Sequence, residues 1–395
     1  MPNAELFLFY LYGAGSPLSI FVQNLCLAAL FIFCIVKLAA KKIPVNRQLI
    51  FFFIFIVTQL VSVFFSADTH AALKGVRDWW ALAAGFMAGY GLSPYCVEKL
   101  PKFRAFLAIG SLFAAAMAVV EFLFGTNFHK QRLFSKMPIG SDPSTGFFSH
   151  HLTFAGFMGI ILLFLLAGII YGERKKIVVA GASAAMLCLL LSQSRGYLLV
   201  MILCLPVLLY GSSKRHILKA LASAAAILIV VFIVSPRHVK ERAFNLFSMK
   251  NGSFAERVYL FRSGMEMAAV KPVFGWGPGC YTANSKEFRD KYNDRVVYPH
   301  KVGFNTECHT HNSYLMVLVE SGIVGLAGYL AFIAVLLLSI IKSGSPSKWG
   351  FLAICCYFLL GGLFEYNLGD AEVAGLFAFF AGLARSAERS GADKG

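Results

Sequence analysis

Runs of about 20 apolar residues recur along nearly the whole chain, and that recurrence restricts the fold more than any other feature. One such run, wound as a helix, crosses the roughly 30 Å of a bilayer's hydrocarbon core. Helices satisfy their own backbone hydrogen bonds, as a solvent without donors or acceptors demands. Composition agrees: of 395 residues, 58% are hydrophobic and 14% charged, and mean hydropathy is +0.69, whereas soluble domains carry about 25% charged residues. An all-α polytopic membrane protein is therefore expected. Its spans should lie near 17–40, 48–65, 79–93, 104–124, 151–171, 177–193, 196–211, 217–235, 322–342, 349–364 and 370–386. Leu6 to Leu11 is a candidate half-span, which makes eleven to twelve transmembrane helices. No basic stretch precedes the first run and no small-x-small site follows it, so a cleaved signal peptide is not expected there.

Basic residues in short loops set orientation. One alternate set holds Lys41, Lys42 and Arg47; Lys99, Lys102 and Arg104; Arg174, Lys175 and Lys176; Lys214, Arg215 and Lys219; Lys342 and Lys348; and Arg385, Arg389 and Lys394. The opposite loops are poorer, with Lys74 and Arg77, then Lys130, Arg132 and Lys136, then Arg195 alone. The first set is expected to be cytoplasmic. Three regions follow: an N-terminal transmembrane part, 1–235; an external segment, 236–321; and a C-terminal transmembrane part with a cytoplasmic tail, 322–395. The external segment has more Lys and Arg than Asp and Glu, which suits an anionic ligand such as a phosphate-bearing lipid, or contact with membrane lipid head groups. The formal charge of +16 is spread over every cytoplasmic loop rather than gathered in one module, so nucleic acid is not expected as a partner.

Inside that segment SFAERVYLFRSGMEMAAVKP has apolar residues at helical steps, with Ser253 as N-cap and Pro272 as stop. VFGWGPGCY follows as a Gly/Pro turn. Because GIVGLAGYLAFIAVLLLSIIK supplies a full crossing by itself, His311 to Glu320 should be a short surface helix broken at Gly322. Arg195, in LSQSRGYLL, sits between two spans with almost no loop, at the outer boundary or in a polar cavity. Of nine cysteines only Cys280 and Cys308 fall in the external segment, a candidate disulfide.

Glu307, Cys308, His309 and His311 crowd together, but their spacing matches no common zinc pattern, and no metal is expected. No Walker A loop, nucleophile elbow or dinucleotide-binding glycine pattern occurs, and no cofactor is expected. What remains is histidine beside arginine. A lone His would be read as a cap or an interfacial residue. Two together, near Asn312, Tyr314 and Glu320 on a basic face, suit something more specific. Imidazole can take a proton from a sugar hydroxyl near neutral pH, and arginine forks neutralise a diphosphate leaving group.

These residues have a family resemblance. HNSYLMVLVESGIVG, SQSRG before a span, AERVYLFRSG followed by KPVFGWGPG, and the late FEYNLGDAEV together resemble the O-antigen ligase and polymerase superfamily. The resemblance covers roughly residues 180–385. It implies a metal-independent, inverting glycosyltransferase of GT-C type, with an undecaprenyl-diphosphate-linked glycan as donor. In a ligase the acceptor is a sugar hydroxyl of lipid A–core; in a polymerase it is another carrier-linked repeat. Transfer to protein Ser or Thr is a third activity in the family, and flipping of a lipid-linked sugar is the non-enzymatic alternative. Carried across, the pattern makes His311 the general base, and Arg195 and Arg257 the diphosphate binders, with Arg262 secondary. Glu320 would orient the His or acceptor, or close the helix end. His309, two residues from His311, would point away on a regular helix.

Overall fold

The computed structural model of the chain describes residues 2–66, 68–126, 140, 142–172, 175–212, 252–293, 309–345 and 347–392. The expected span at 217–235, and with it 236–251 and 294–308, lies outside the described residues.

Among the described residues every regular element is helical. They are α1 (Pro2–Gly15), α2 (Ile20–Ala39), α3 (Arg47–Phe64), α4 (Thr69–Asp78), α5 (Trp80–Tyr90), α6 (Pro94–Glu98), α7 (Leu100–Phe124), α8 (His151–Ile170), α9 (Lys176–Leu191) and α10 (Arg195–Leu209). They continue with α11 (Gly252–Val270), α12 (Tyr281–Asn284), α13 (Lys286–Asn293), α14 (Ser313–Lys342), α15 (Lys348–Gly361) and α16 (Ala371–Ala392). Polar side chains at loop ends start several of them. Asn46 Oδ1 accepts the Leu49 N–H at 3.1 Å, and Asp68 Oδ1 accepts that of Ala71 at 2.9 Å.

Five of the described helices, α2, α3, α7, α8 and α14, are long and apolar enough to cross a membrane. The chain is an all-α, multi-pass membrane protein. Three further apolar helices among the described residues, α9, α10 and α15, are shorter. Ahead of the expected span at 79–93 the chain forms α4, which the hydropathy pattern did not indicate, and the 11-residue α5 follows after a break at Trp79. Residues apolar all round a helix indicate burial, whether by lipid or by protein, and α5 is covered by protein. Its Gly85 and Gly89 face α16 so closely that a Cβ on Gly89 would collide with the Phe379 carbonyl, while one on Gly382 would meet that of Phe86. Small residues four apart are what lets two helix backbones touch in a membrane.

At the end of the bundle that carries the basic loops, Lys37 Nζ donates to Glu5 Oε1 at 2.7 Å and to the Gly91 carbonyl at 2.8 Å. Glu5 also accepts the Ser93 N–H at 2.8 Å. This buried pair fastens α1 to α2 and to the turn before α6. Arg385 lies over the Tyr90 ring, 3.9 Å from its centroid.

At the opposite end α14 breaks as its sequence indicates. Gly322 has φ +65, and a Cβ there would run into the Val273 carbonyl. The Gly/Pro turn after α11 is seated against this break. Trp276 N–H donates to the Val319 carbonyl at 2.9 Å and Gly277 N–H to that of Glu320 at 2.8 Å. Beneath the turn, Ser62 Oγ of α3 donates to the same Glu320 carbonyl at 2.8 Å. Gly75 of α4 lies directly against Pro278 and Gly279 of the turn, so the turn, α4 and the head of α14 are packed together.

Candidate active site

His311 sits one residue before Asn312, the N-cap of α14, whose Oδ1 accepts the Leu315 N–H at 2.9 Å. Its backbone is in the left-handed region, φ +48. Such geometry costs a non-glycine residue energy and persists only where the surroundings impose it. Here they do. Ser313 N–H donates to the Gly362 carbonyl at 2.7 Å, and Ser313 Oγ donates to Asn367 Oδ1 at 2.7 Å. Asn312 Nδ2 donates to the Leu363 carbonyl at 3.2 Å, and Tyr314 OH to that of Leu359 at 2.8 Å. Two segments some fifty residues apart are stitched together, and the loop between α15 and α16 is pressed against the histidine.

That loop supplies Glu365. His311 Nδ1 is 3.0 Å from both of its carboxylate oxygens. Nδ1–H donating to a carboxylate fixes the tautomer and leaves Nε2 as the basic nitrogen. Two more groups converge: His309 Nε2 lies 3.4 Å from Glu365 Oε1, and Arg257 Nη2 of α11 lies 3.7 Å from Oε2. Burial would push the Glu365 carboxyl up, but the hydrogen bond and charge of His311, with His309 and Arg257, hold it down at about 2. Burial lowers His309 to about 4 against the pull of Glu365. The site therefore carries an ionised carboxylate and a neutral His309 at pH 7.

The expected residues divide. His311 and Arg257 meet. His309 meets them too, rather than pointing away, because residues 309–312 form a turn instead of a regular helix; the two imidazole centroids are 4.3 Å apart. Asn312 and Tyr314 have the structural bonds given above. Arg262 is exposed on α11 and makes none of the contacts at Glu365. Arg195 opens α10 at the same end. It follows Gln193, another left-handed residue (φ +52), whose Nε2 donates to the Gly140 carbonyl at 2.9 Å. Tyr197, two residues further, lies within electrostatic reach of Glu365 and Arg257. Glu320 is not the carboxylate that holds His311. It is buried, and Oε1 accepts the Gly279 N–H at 2.8 Å, tying the Gly/Pro turn to α14. Cys280 is buried 3.5 Å from Ser66 Oγ; its candidate disulfide partner Cys308 lies outside the described residues.

Sequence reasoning missed Glu365. The available signal was FEYNLGDAEV itself: three carboxylates, Glu365, Asp370 and Glu372, gathered where two apolar runs meet. It also missed His150, at the head of α8, whose charge reaches His309.

His309, His311 and Glu365 each offer one ligand atom, all within 4.8 Å of one another. A divalent cation fits poorly among them. Glu365 already gives both oxygens to His311, and the Arg257 guanidinium brings a positive charge to its edge. An imidazole base braced by a carboxylate, with arginine alongside, suits proton removal next to a bound anion.

Residues 180–330 match the family model described as O-antigen ligase. Over that stretch the chain is similar to the O-antigen ligase family. The match takes in Arg195, Arg257 and the His309–Glu320 segment, and stops short of Glu365. No curated protein matches the chain. That similarity supports a membrane ligase or glycosyltransferase-like activity in general, with a lipid-linked glycan and a lipid acceptor as the partners it suggests.

Proposed function

We propose that the chain is an O-antigen ligase. It transfers a glycan from undecaprenyl diphosphate to a sugar hydroxyl of lipid A–core, at the periplasmic face of the bacterial inner membrane. The observation that carries this reading is the His311–Glu365 pair with Arg257 beside it. His311 Nε2 takes the proton of the acceptor hydroxyl as its oxygen attacks the anomeric carbon. The carboxylate of Glu365 stabilises the imidazolium that forms, the arrangement found wherever a base histidine is backed by an acid. The glycosyl–oxygen bond to the carrier breaks, and undecaprenyl diphosphate departs with the electron pair. Arg257 and Arg195 neutralise the leaving diphosphate, whose charge grows in the transition state. Attack opposite the leaving group inverts the anomeric centre, and no metal is required. The basic loops at the far end of the bundle support the orientation, since such loops stay in the cytoplasm.

The test offers purified protein the lipid-linked donor with lipid A–core, in the presence of chelator. Glycan on lipid A–core is the expected product. Chains lengthening on the carrier would make the protein a polymerase, and turnover abolished by chelator and restored by metal would end the metal-independent mechanism.

A further inference from the structure

The helix that carries Arg257 has two unlike sides. On one, Leu260, Met267 and Ala268 of α11 are buried in a cluster with Leu315, Met316 and Val319 of the α14 head. Gly264 sits so close there that a Cβ on it would meet Thr310 and Leu315. The other side is open. Phe261, Met265 and Val270 are 44%, 48% and 59% exposed. The apolar stripe continues through Val273, 49% exposed, to Ile323, 55% exposed, the residue after the glycine break in α14. The two segments are joined at that point: Ile323 N–H donates to the Pro272 carbonyl at 2.8 Å and Val324 N–H to that of Val273 at 3.3 Å. Arg257, Phe261 and Met265 follow at four-residue steps, which places them on one side of the helix. At 1.5 Å of rise per residue, the stripe from Arg257 to Val270 is about 20 Å long. Glu256, Arg257, Arg262 and Glu266 make α11 too polar to lie in hydrocarbon, and it is not one of the five described helices able to cross a membrane. Apolar side chains shown outside the hydrocarbon, with Arg262 and Glu266 along their border, mark a surface that something apolar covers.

The two ends of the stripe choose its occupant. At one end Arg257 Nη2 is 3.7 Å from Glu365, the carboxylate that holds His311 at 3.0 Å. At the other end Ile323 opens the part of α14 that runs through the bilayer to Lys342. A ligand suited to both ends has an anionic head for the guanidinium and a long apolar tail that returns to the membrane without crossing water. We propose that this face of α11 is the track for the isoprenoid chain of the lipid-linked donor. The diphosphate lies at Arg257, the first isoprene units on Phe261 and Met265, and later ones over Val270 and Val273 to Ile323. This rests on the glycosyl-transfer reading above. Covering the stripe adds apolar burial to the charge contacts at Arg257, and the chain leads away from His311 while the glycosyl end stays beside it.

Transfer by full-length protein in detergent solution tests it, with one glycan offered on two donors. The first carries undecaprenyl diphosphate, and the second a diphosphate with only two isoprene units, too short a chain to pass from Arg257 to Val270. The readout is the ratio of kcat/KM for the long donor to that for the short one, each variant set against wild type. Val270→Ser and Val273→Ser should each lower that ratio by about three- to tenfold. Val270→Leu should hold it, and Phe261→Ser should lower kcat/KM for both donors together. A wild-type ratio in Val270→Ser and Val273→Ser would overturn the proposal. Equal losses with both donors in these variants would also overturn it and reduce the stripe to a contact with the membrane surface. Either result leaves the glycosyl-transfer reading standing, since glycan still moves in the wild-type protein. These side chains are exposed, so Tm should stay at the wild-type value; where Val270→Ser lowers it, Val273→Ser decides. A wild-type protein that moves glycan from neither donor would remove the parent reading and the track with it.

Discussion

Glu365→Gln isolates what the carboxylate does for His311. The substitution preserves side-chain length and removes the charge that faces Nδ1 from both oxygens at 3.0 Å. Hydrogen bonds to charged groups contribute about 1.5–3 kcal/mol, and 1.36 kcal/mol is tenfold, so loss of the charge alone should lower kcat by about ten- to 150-fold. The amide can also turn its NH2 toward Nδ1. That would make Nδ1 the acceptor and put the proton on Nε2, the wrong nitrogen for a base, and a reversed tautomer costs up to about 10⁴ in a comparable triad. The expected fall in kcat therefore lies between about 10 and 10⁴, with both KM values little changed. Steady-state kinetics with donor and acceptor each varied give the answer. A kcat at the wild-type level would refute the bracing role. A raised donor KM with normal kcat would show instead that Glu365 serves by positioning Arg257, 3.7 Å away.

Other outcomes are expected. Arg257→Lys should raise the donor KM by about tenfold or more, because a point charge cannot reproduce the guanidinium fork; unchanged kinetics would reduce its role to charge alone. His309 is held at about 4 in the folded protein against 6.5 in an unfolded chain. The folded state thus disfavours its protonation, and stability should fall as pH drops from 6.5 through 4, with His309→Gln showing a shallower loss of Tm over that window. Glu365, at about 2, holds its stabilising contribution above the ordinary carboxyl range and loses it as pH falls from there toward 2, so the Tm gap between wild type and Glu365→Gln should narrow in acid. Gly322→Ala should lower Tm, because φ +65 with ψ −168 is a conformation that costs an L-residue about 1–3 kcal/mol and the added Cβ collides with the Val273 carbonyl; an unaltered Tm would mean the break relaxes.

Much of this site is readable from the chain because its signals are local. HNSYLMVLVESG carries its own N-cap, apolar periodicity and glycine break within a dozen residues, and α14 forms accordingly. Glu365 escaped because its partner is 54 residues away, across a complete helical hairpin, and sequence spacing holds no record of such a meeting. Glu320 misled for the opposite reason. Adjacency to the histidine motif suggested chemistry, while the fold turned that carboxylate under Gly279. His309 was misplaced by assuming helical geometry in a stretch where His311 adopts a left-handed turn. At α5 the apolar run has a cause that spacing does not reveal: its glycines pack directly on α16.

The central claim is that His311 Nε2, braced by Glu365, removes the acceptor's proton. The most direct measurement is kcat of His311→Ala in purified protein with lipid-linked donor and lipid A–core, taken beside its Tm. The account predicts a fall of about 10²-fold or more, the scale of a lost general base, with Tm close to wild type and donor KM little changed. A folded His311→Ala protein that turns over at the wild-type rate would contradict it.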